Sequence, residues 1–377
     1  MHTRFEHSLG VMHMVTMLYD AVVDRAWAAL RDELGYDDTG RGRYRKLVRL
    51  AALLHDVGHG PFSHAAEELT PLTPDGKRHY RHEEYSTAII RECLKDVIEN
   101  HRGNNNYNFR VDDITGLIEG GASAGRAALW QELISGQLDA DRMDYLLRDS
   151  YHCGVEYGRY DWRRIVGTID LLRDVESGAP RLGISEPGRH AAEALIIARY
   201  MMFNQVYFHK TRVVLDRHFQ HALAEILPYG KFPEPTPEGI REYVNWDDWR
   251  VLGHLADGGG GEHGARLKSR NFYRQVWETP EFPSVEDEAQ LKEIETRLGG
   301  LVVARIEASK SWYKLGATDL LIGGNNVGDG ARPLSQCSTI VGNMRPMRRT
   351  RLYVESQNRT KAEHDLKVIR DRGANNG

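Results

Sequence analysis

The sequence predicts a mostly α-helical protein with a small β-containing appendage towards its C-terminus. Through most of the first 230 residues, apolar side chains recur at the three- and four-residue spacing of one helix face. After Leu301 the pattern changes to short extended runs separated by glycine- and asparagine-rich turns. Of the 377 residues, 41% are hydrophobic and 28% are charged, which is typical of a globular protein and excludes a disordered one.

The predicted helices follow one another along the N-terminal part of the chain. In the first helix, Val11, Met14 and Leu18 share one face. The second helix runs into His55-Asp56, and the glycines that follow end it. Further helical segments are predicted from residue 61 and over residues 85–90, 138–152 and 190–210.

Short strands are predicted in two places. Residues 174–186 are expected to form a hairpin with Ser177-Gly178 at its turn. Residues 319–322 and 351–354 supply the extended runs of the C-terminal appendage. These patterns suggest four regions, namely a helical core over 1–230, a helical extension with proline- and glycine-rich loops over 231–300, a small α+β region over 301–356 and a polar tail over 357–377.

Charge, hydropathy and cysteine content exclude several functional classes. The formal net charge of −4 gives no global basic field for nucleic acid, and the basic stretch 345–351 is explained equally well as a solvated strand edge. The sequence has neither an apolar run long enough for a membrane span nor an N-terminal signal peptide. Three scattered cysteines fit neither a disulfide framework nor a thiolate zinc site. We therefore expect a cytoplasmic protein.

Histidine crowding is the first indication of chemistry. The chain has 17 histidines, nine of them within the first 101 residues, and histidine is both the commonest metal ligand and a common acid–base group. His55 and Asp56 are adjacent, and neighbouring helical residues point about 100° apart, so one metal can bind both only where the helix ends or bends. Alone, such a pair is more often an ordinary helix terminus.

Four longer motifs place that pair in a family context. The segments TRFEHSLGV, ALLHDVGHGPFSH, DADRMDYLLRDS and ARYMMFNQVYFHK occur in this order. Together they closely resemble the deoxynucleotide triphosphohydrolase branch of the HD phosphohydrolase superfamily, which includes bacterial and vertebrate enzymes. The resemblance implies an HD-domain helical bundle and extends weakly over most of the chain.

Carried over residue by residue, the resemblance implies a divalent metal held by His7, His55, Asp56 and Asp141. Imidazole and carboxylate ligands suit Mn, Mg, Fe, Ni or Zn, and the sequence does not choose among them. Four protein ligands leave coordination positions for water and a phosphate oxygen, as a catalytic site requires.

The resemblance also implies catalytic and substrate-binding residues. For protonating the leaving 5′-oxygen, it points to a set in which His64 is the favoured donor, with His82 as an alternative: His59, His64, Glu67 and His82. Phosphate contacts are implied for Arg4, Arg142, Tyr145 and Arg199. The sugar is expected to meet Asp149 at its 3′-hydroxyl and Tyr207 at its 2′ edge, although Tyr145 and Tyr207 could simply pack in the core.

The implied activity is cleavage of a deoxynucleoside triphosphate into deoxynucleoside and triphosphate. Two rivals remain: a phosphodiesterase or nucleotidase, because HD sites cleave many phosphoesters, and a catalytically silent nucleotide-sensing module. Relatives suggest a homo-oligomer and a possible nucleotide activator, with neither membrane nor nucleic acid as a partner. The family normally carries a further segment before the RFEHSLG helix, and its absence from this sequence is expected to affect substrate affinity and assembly more than metal binding.

Overall fold

A computed structural model describes residues 2–175, 178–313, 318–324 and 330–374, and most of these residues are helical. The predicted mostly α-helical class is therefore confirmed. Within the described residues, no helix combines the length and the apolar character that a bilayer span requires.

Helices outnumber strands in the part of the chain that the structure describes. In chain order, the helices are α1 (Arg4–Leu34), α2 (Asp38–Leu54), α3 (His82–Glu92), α4 (Lys95–Glu99), α5 (Val111–Glu119), α6 (Ala128–Ser135), α7 (Ala140–Cys153), α8 (Trp162–Thr168), α9 (Arg189–Met202), α10 (Lys210–Ile226), α11 (Pro237–Tyr243), α12 (Asp248–Ala256), α13 (Gly261–Ser269), α14 (Val285–Leu298), α15 (Leu334–Cys337), α16 (Thr339–Gly342) and α17 (Arg359–Ala374). The strands are β1 (Ile169–Arg173), β2 (Pro180–Ile184), β3 (Arg274–Glu278), β4 (Val302–Lys310), β5 (Leu321–Ile322), β6 (Arg332–Pro333) and β7 (Met347–Val354).

The chain divides into two compact units, each built from three separate segments. The first unit contains Met1–Met202, Pro233–Asn245 and Tyr313–Met344. The second unit contains Phe203–Phe232, Trp246–Trp312 and Arg345–Gly377. The predicted regional boundaries at residues 230, 300 and 356 do not coincide with these units, because a division that follows the chain cannot describe units made of interleaved segments.

In the first unit, helix packing buries the apolar faces that the sequence indicates. Helix α1 packs against α2, α6 and α7. Side chains with almost no exposed surface fill the space between these helices, among them Val11, Leu18, Leu47, Trp130 and Met143. Burying each such side chain contributes about 1.5–3 kcal/mol to folding, so this packing fixes the relative positions of α1, α2 and α7.

Local caps decide where α1 and α7 begin. The Thr3 side chain accepts a hydrogen bond from the Glu6 backbone, and the Glu6 carboxylate accepts one from the Thr3 N–H, so the two residues form a capping box. Asp139 caps α7 by accepting from the Arg142 backbone N–H at 2.7 Å. His7 and Asp141 are therefore held close to well-defined helix starts.

The first unit also contains a four-stranded sheet of order β1-β2-β5-β6. Strands β1 and β2 form the predicted hairpin, which begins earlier than expected and pairs Ile169 with Ile184. Ser177 of its predicted turn lies outside the described residues. Strand β2 pairs in parallel with β5, which in turn pairs antiparallel with β6.

The second unit contains an antiparallel sheet of order β3-β7-β4. Strands do occur in region 301–356, as predicted, but they do not form one appendage: β5 and β6 join the sheet of the first unit, whereas β4 and β7 join that of the second. The segment predicted as a polar tail, 357–377, forms α17 up to Ala374. Its Ala362 and Leu366, four residues apart, are buried against Leu298 and Leu352, which explains the order of this segment.

Candidate metal centre

Three helices bring together two imidazoles and two carboxylates in the first unit. The four side chains can each place one nitrogen or oxygen atom within 4.8 Å of the others, and we call them the HD cluster: His7, His55, Asp56 and Asp141. His7 comes from α1, Asp141 from the first turn of α7, and His55 and Asp56 from the turn that ends α2. Helix α2 therefore ends at His55-Asp56, where the sequence predicts a helix end.

Two glycines allow the elements around the cluster to approach one another closely. A Cβ atom on Gly10 of α1 would clash with the Asp144 carboxylate of α7. A Cβ atom on Gly58 would clash with the backbone of α3 at His82 and Ser86. Gly58 therefore requires glycine for packing, whereas a Cβ atom at Gly10 would have to displace the Asp144 carboxylate that holds His7.

The hydrogen bonds of His7 leave one ring nitrogen facing the carboxylates. Its Nδ1 donates to Asp144 Oδ2 at 2.8 Å, because a carboxylate can only accept. Its Nε2 lies 3.0 Å from Asp141 Oδ1 and 3.6 Å from Asp56 Oδ2. A carboxylate bonded to the far nitrogen is the usual support of a metal-binding histidine.

His55 is arranged in the same way. Its Nδ1 donates to the Ala52 carbonyl at 2.8 Å. Its Nε2 is buried without a hydrogen-bond partner among the described residues, and it faces Asp56 Oδ1 at 3.3 Å and Asp141 Oδ1 at 3.6 Å. A buried polar atom left unsatisfied is costly, and a metal ion between these atoms would remove that cost. The residues present therefore fit a divalent metal.

The pKa values of His7 and Asp141 also indicate a site for a cation. Burial lowers the pKa of His7, but hydrogen bonds to Asp141 and Asp144 outweigh it and raise the pKa to about 9. Burial acts to raise the pKa of Asp141, but the nearby His55 and His7 imidazoles hold it well below its usual range. The site thus favours positive charge between its carboxylates, and a metal would have to displace the proton of His7.

A second group adjoins the first at Asp56, and we call it the histidine cluster: His59, His64, Glu67 and His82. His64 and Glu67 lie on a short 3-10 helix, Ser63–Leu69, and His82 is the first residue of α3. His59 Nε2 lies 3.5 Å and His82 Nε2 3.8 Å from Asp56 Oδ1. All four catalytic residues that the resemblance implies are therefore placed together.

The entry into that short helix has unusual backbone geometry. Phe62 and Ser63 have φ angles of 56° and 59°, in the left-handed region that side chains disfavour. Arg4 reaches the same place, where its Nε donates to Ser63 Oγ at 2.7 Å while a guanidinium N–H donates to Asp56. The strained turn therefore lies directly beside the HD cluster.

The expected phosphate-binding residues also gather in the first unit. Arg142 pairs with Asp139 at 3.1 Å and donates to the Gly136 carbonyl. Arg199 is hydrogen-bonded to Tyr145, and burial followed by the neighbouring Arg142 lowers its pKa. Burial raises the pKa of Tyr145 to about 12, so the phenol stays protonated and can donate.

The two residues expected at the sugar, Asp149 and Tyr207, lie in different units of the chain. Asp149 is on α7, and its Oδ1 lies 3.3 Å from His2 Nε2. Tyr207 lies in the second unit, at the end of a π-helical turn over Phe203–Tyr207 where the long predicted helix 190–210 changes register. Its contact with a sugar stays a prediction.

One residue of the site was missed by sequence reasoning. Asp144 is buried, accepts from His7 and is held by Arg148 through two hydrogen bonds of 2.8 and 2.9 Å. The signal was present, because Asp144 lies three residues after Asp141 on α7 and therefore on nearly the same helix face.

Comparisons with known proteins agree with this geometry. The HD domain family matches residues 4–149, and the HD associated region matches residues 161–300. An uncharacterised protein of Bacillus subtilis is 38% identical over 208 residues, covering 55% of this chain and 41% of that protein. The deoxynucleoside triphosphate triphosphohydrolase SAMHD1 homologue of Dictyostelium discoideum is 28% identical over 250 residues, covering 66% of this chain and 44% of that protein.

A solved structure gives broader coverage. A hypothetical protein from Aquifex aeolicus superimposes with a TM-score of 0.74 at 27% identity, covering 97% of this chain and 87% of that one. This chain spans less than half the length of the two curated relatives. On these matches, the chain contains an HD domain over residues 4–149 followed by an HD-associated region over residues 161–300.

Proposed function

We propose that this protein hydrolyses deoxynucleoside triphosphates to deoxynucleoside and triphosphate. The observation that carries the proposal is the position of Asp56, which lies between a group able to hold a divalent metal and a group able to deliver a proton. A metal that polarises the phosphate and an acid that protonates the leaving oxygen each accelerate hydrolysis of a phosphoester. The named activity of the Dictyostelium relative supports the choice of substrate class.

The HD cluster would hold the metal. Bound there, a divalent ion would supply Lewis-acid polarisation of a phosphate oxygen. Asp144 and the Ala52 carbonyl orient the two imidazoles by accepting from their Nδ1 atoms, so each Nε2 faces the ion position without rotating. This support holds the ligand set ready before any metal or substrate arrives.

The histidine cluster would supply the proton. Water adds to the α-phosphorus and releases a proton to solvent, and the bond from phosphorus to the 5′-oxygen breaks. That oxygen takes a proton from an imidazole, which solvent then reprotonates. His64 suits this role because its side chain is 63% exposed and its Nδ1 is held 2.9 Å from Glu67 Oε1. The opposite nitrogen of His64 is then the one that can meet a leaving group.

The other imidazoles of the cluster take supporting roles. His82 donates to the same Glu67 oxygen at 2.7 Å and keeps that carboxylate in place. Burial, only partly offset by Asp56, lowers the pKa of His59 to about 3, so His59 stays neutral and cannot be the acid at neutral pH. We therefore assign His59 and His82 as positioning residues for Glu67 and Asp56.

Local cations would neutralise the triphosphate in a chain with a net charge of −4. Arg4 lies at Asp56, and Arg142 and Arg199 lie close to Tyr145. Arginine offers a planar fork of donors that matches phosphate oxygens. Following the resemblance, Asp149 would accept from the 3′-hydroxyl and Tyr207 would exclude a 2′-hydroxyl.

Product analysis tests the proposal. The four dNTPs, the four NTPs and a model phosphodiester are incubated with the protein and either Mn²⁺ or Mg²⁺, and products are separated by ion-exchange chromatography. We expect deoxynucleoside and intact triphosphate from dNTPs. Initial release of dNMP and pyrophosphate, or cleavage of the phosphodiester alone, would replace this proposal with another phosphoesterase activity.

Assembly and activation are part of the same proposal. We expect a homo-oligomer, and a nucleotide activator would shift its mass distribution. Light scattering after size-exclusion chromatography, with and without added GTP or dGTP, measures both. A single monomer peak under every condition would remove oligomerisation and nucleotide-driven assembly from the proposal.

A further inference from the structure

The histidine cluster has a geometry that its role as proton donor does not require. The Nδ1 atoms of all three imidazoles face one carboxylate oxygen, Glu67 Oε1, at 2.7 Å from His82, 2.9 Å from His64 and 3.7 Å from His59. One carboxylate and one imidazole suffice to hold a general acid. The position of His59 Nδ1 beside the same oxygen therefore needs another explanation.

His59 provides the strongest observation. Its Nδ1 is buried and has no hydrogen-bond partner among the described residues, and its side chain is only 2% exposed. The rings of His59 and His82 are stacked with centroids 3.8 Å apart and an interplanar angle of 14°. A buried lone pair that faces a carboxylate without a proton between them suits a cation.

The distances fit a small tetrahedral ion. Zinc bonds of about 2.0–2.1 Å to nitrogen and oxygen place the ligand atoms of a tetrahedron roughly 3.4 Å apart. The three nitrogen-to-oxygen distances of 2.7, 2.9 and 3.7 Å bracket that separation, and the four ligand atoms all lie within 4.8 Å of one another. Small shifts of side chains, with loss of the Nδ1 protons that His64 and His82 donate to Glu67, would therefore close the site around an ion.

The ligand types and the access route distinguish this site from the HD cluster. Three imidazoles and one carboxylate favour Zn²⁺ over Mg²⁺ or Mn²⁺, whereas the HD cluster has two of each ligand. The exposed His64 side chain gives an ion a route from solvent. A zinc ion here would use the ring nitrogens that otherwise keep Glu67 and the acid aligned.

We propose that the histidine cluster is a second metal site, selective for Zn²⁺, and that its occupation inhibits the enzyme. The first part of this proposal, that zinc binds there, depends only on the geometry of the four side chains. The inhibitory half rests on the proposed function, because it assumes that His64 must be free to protonate the leaving group.

Metal stoichiometry tests the binding half without substrate. The whole chain is stripped of metal, equilibrated with Zn²⁺ and measured by isothermal titration calorimetry and by elemental analysis. We expect two zinc ions per chain in the wild type, one in Glu67→Gln, one in Asp56→Asn and none in the double variant. In Glu67→Gln, the affinity for the second ion should fall at least about 100-fold, more than the loss of a supporting partner costs.

Two further variants control for folding and for surface binding. His64→Ala removes an exposed ligand without opening the core, and it should also bind one ion. His13→Gln changes an exposed histidine of α1 outside both clusters and should bind two. One zinc ion per wild-type chain, or two in both Glu67→Gln and His64→Ala with native circular dichroism, would overturn the site.

Zinc titration of turnover tests the inhibitory half. With Mn²⁺ in the assay, dGTP hydrolysis should fall as the second zinc equivalent binds, and a chelator should restore it. Full activity with two ions bound would overturn inhibition while leaving the site intact. If no dNTP is cleaved under any condition, the proposed function fails, and inhibition fails with it, whereas the stoichiometry still decides whether the site exists.

Discussion

Histidines gather in both units, but their surroundings differ. In the first unit, the imidazoles of the HD cluster and the histidine cluster face carboxylates, chiefly Asp56, Asp141 and Glu67. In the second unit, His218 and His263 face each other, with their Nδ1 atoms 2.9 Å apart, and His221 stacks on His263 at 4.4 Å between centroids. The two clusters of the first unit contain five imidazoles and this group contains three, and His218 has another imidazole as its partner where His7 has carboxylates.

At His7 and His218 that difference reverses the direction in which the pKa moves, whereas burial keeps the pKa of His59 low despite its carboxylate neighbours. His7 is buried, yet two aspartates raise its pKa to about 9. His218 is buried against His263, and these two causes lower its pKa to about 4. Burial and a neighbouring imidazole therefore lower the pKa of His218, whereas two hydrogen-bonded aspartates outweigh burial and raise the pKa of His7.

The largest expected effect comes from replacing Asp56, the HD-cluster carboxylate that also lies beside His59 and His82. Asp56→Asn keeps the shape of the side chain but loses its charge, so we expect metal binding at the HD cluster to fail. Activity should fall by more than about 10⁴-fold, beyond what loss of a general acid costs. Elemental analysis and kcat for dGTP check this.

Asp24→Asn is the matched control, because Asp24 is a surface carboxylate of α1 that pairs only with Arg41 in the described contacts. It should retain both metal and activity. Wild-type turnover with full metal content in Asp56→Asn would refute the HD cluster as the catalytic centre.

The second test separates proton delivery from metal binding. His64→Gln should lower kcat about 10²–10³-fold while the metal content of the HD cluster stays unchanged, since His64 contacts Glu67 rather than that cluster. The loss should be smaller for substrates with a better leaving group than a 5′-alkoxide, such as a nitrophenyl ester. An equal loss for both substrates would argue that His64 has a structural role.

The third test concerns the residue that supports His7. In Asp144→Asn, the amide can rotate to accept from His7 Nδ1 through its oxygen, but the negative charge is lost. We expect metal affinity at the HD cluster to fall about 10–100-fold, and excess Mn²⁺ should rescue most of the turnover. Titration with Mn²⁺ measures the shift, and an unchanged affinity would show that Asp144 only pairs with Arg148.

The smallest expected effect concerns stability in the second unit. Because the pKa of His218 is about 4 in the folded protein and 6.5 in the unfolded chain, the unfolded chain binds the proton first as pH falls. The contribution of His218 is therefore constant above pH 6.5, and stability is lost as pH falls from 6.5 towards 4. We expect a loss of about 1–2 kcal/mol in this window.

Urea unfolding at pH 7.5, 5.5 and 4.5 measures this loss. His218→Gln keeps an acceptor for the Tyr273 backbone N–H, which His218 Nε2 accepts at 3.2 Å, and removes the titrating group. The variant should lose less stability than the wild type between pH 7.5 and 4.5. Parallel pH profiles for the two proteins would show that His218 does not titrate on unfolding.

Much of the site could be predicted from sequence, because short-range signals mark it. The glycines after His55-Asp56 indicate the end of α2, and the motif around His7 lies at a capped helix start. The spacing of Asp144 from Asp141 indicates a shared helix face, but its partner His7 is identified only when α1 and α7 pack together at Gly10. The position of Tyr207 relative to the HD cluster remains a prediction.

The strands were harder to predict than the helices. Strands β5 and β6 have two residues each, too few for a periodic pattern, and β5 pairs with a strand more than a hundred residues earlier. The order of α17 depends on its contact with α14 and the sheet of the second unit. Such long-range pairing leaves no local trace in the sequence.

The interleaving of the two units constrains how the protein is synthesised. On the ribosome, the HD cluster is complete once α7 has emerged, but β2 has no partner on its outer edge until β5 follows. An unpaired strand edge invites pairing with other chains. More than a hundred residues of translation therefore separate β2 from the strand that pairs with its outer edge, and we expect that edge to be open to chaperones or to other chains during this interval.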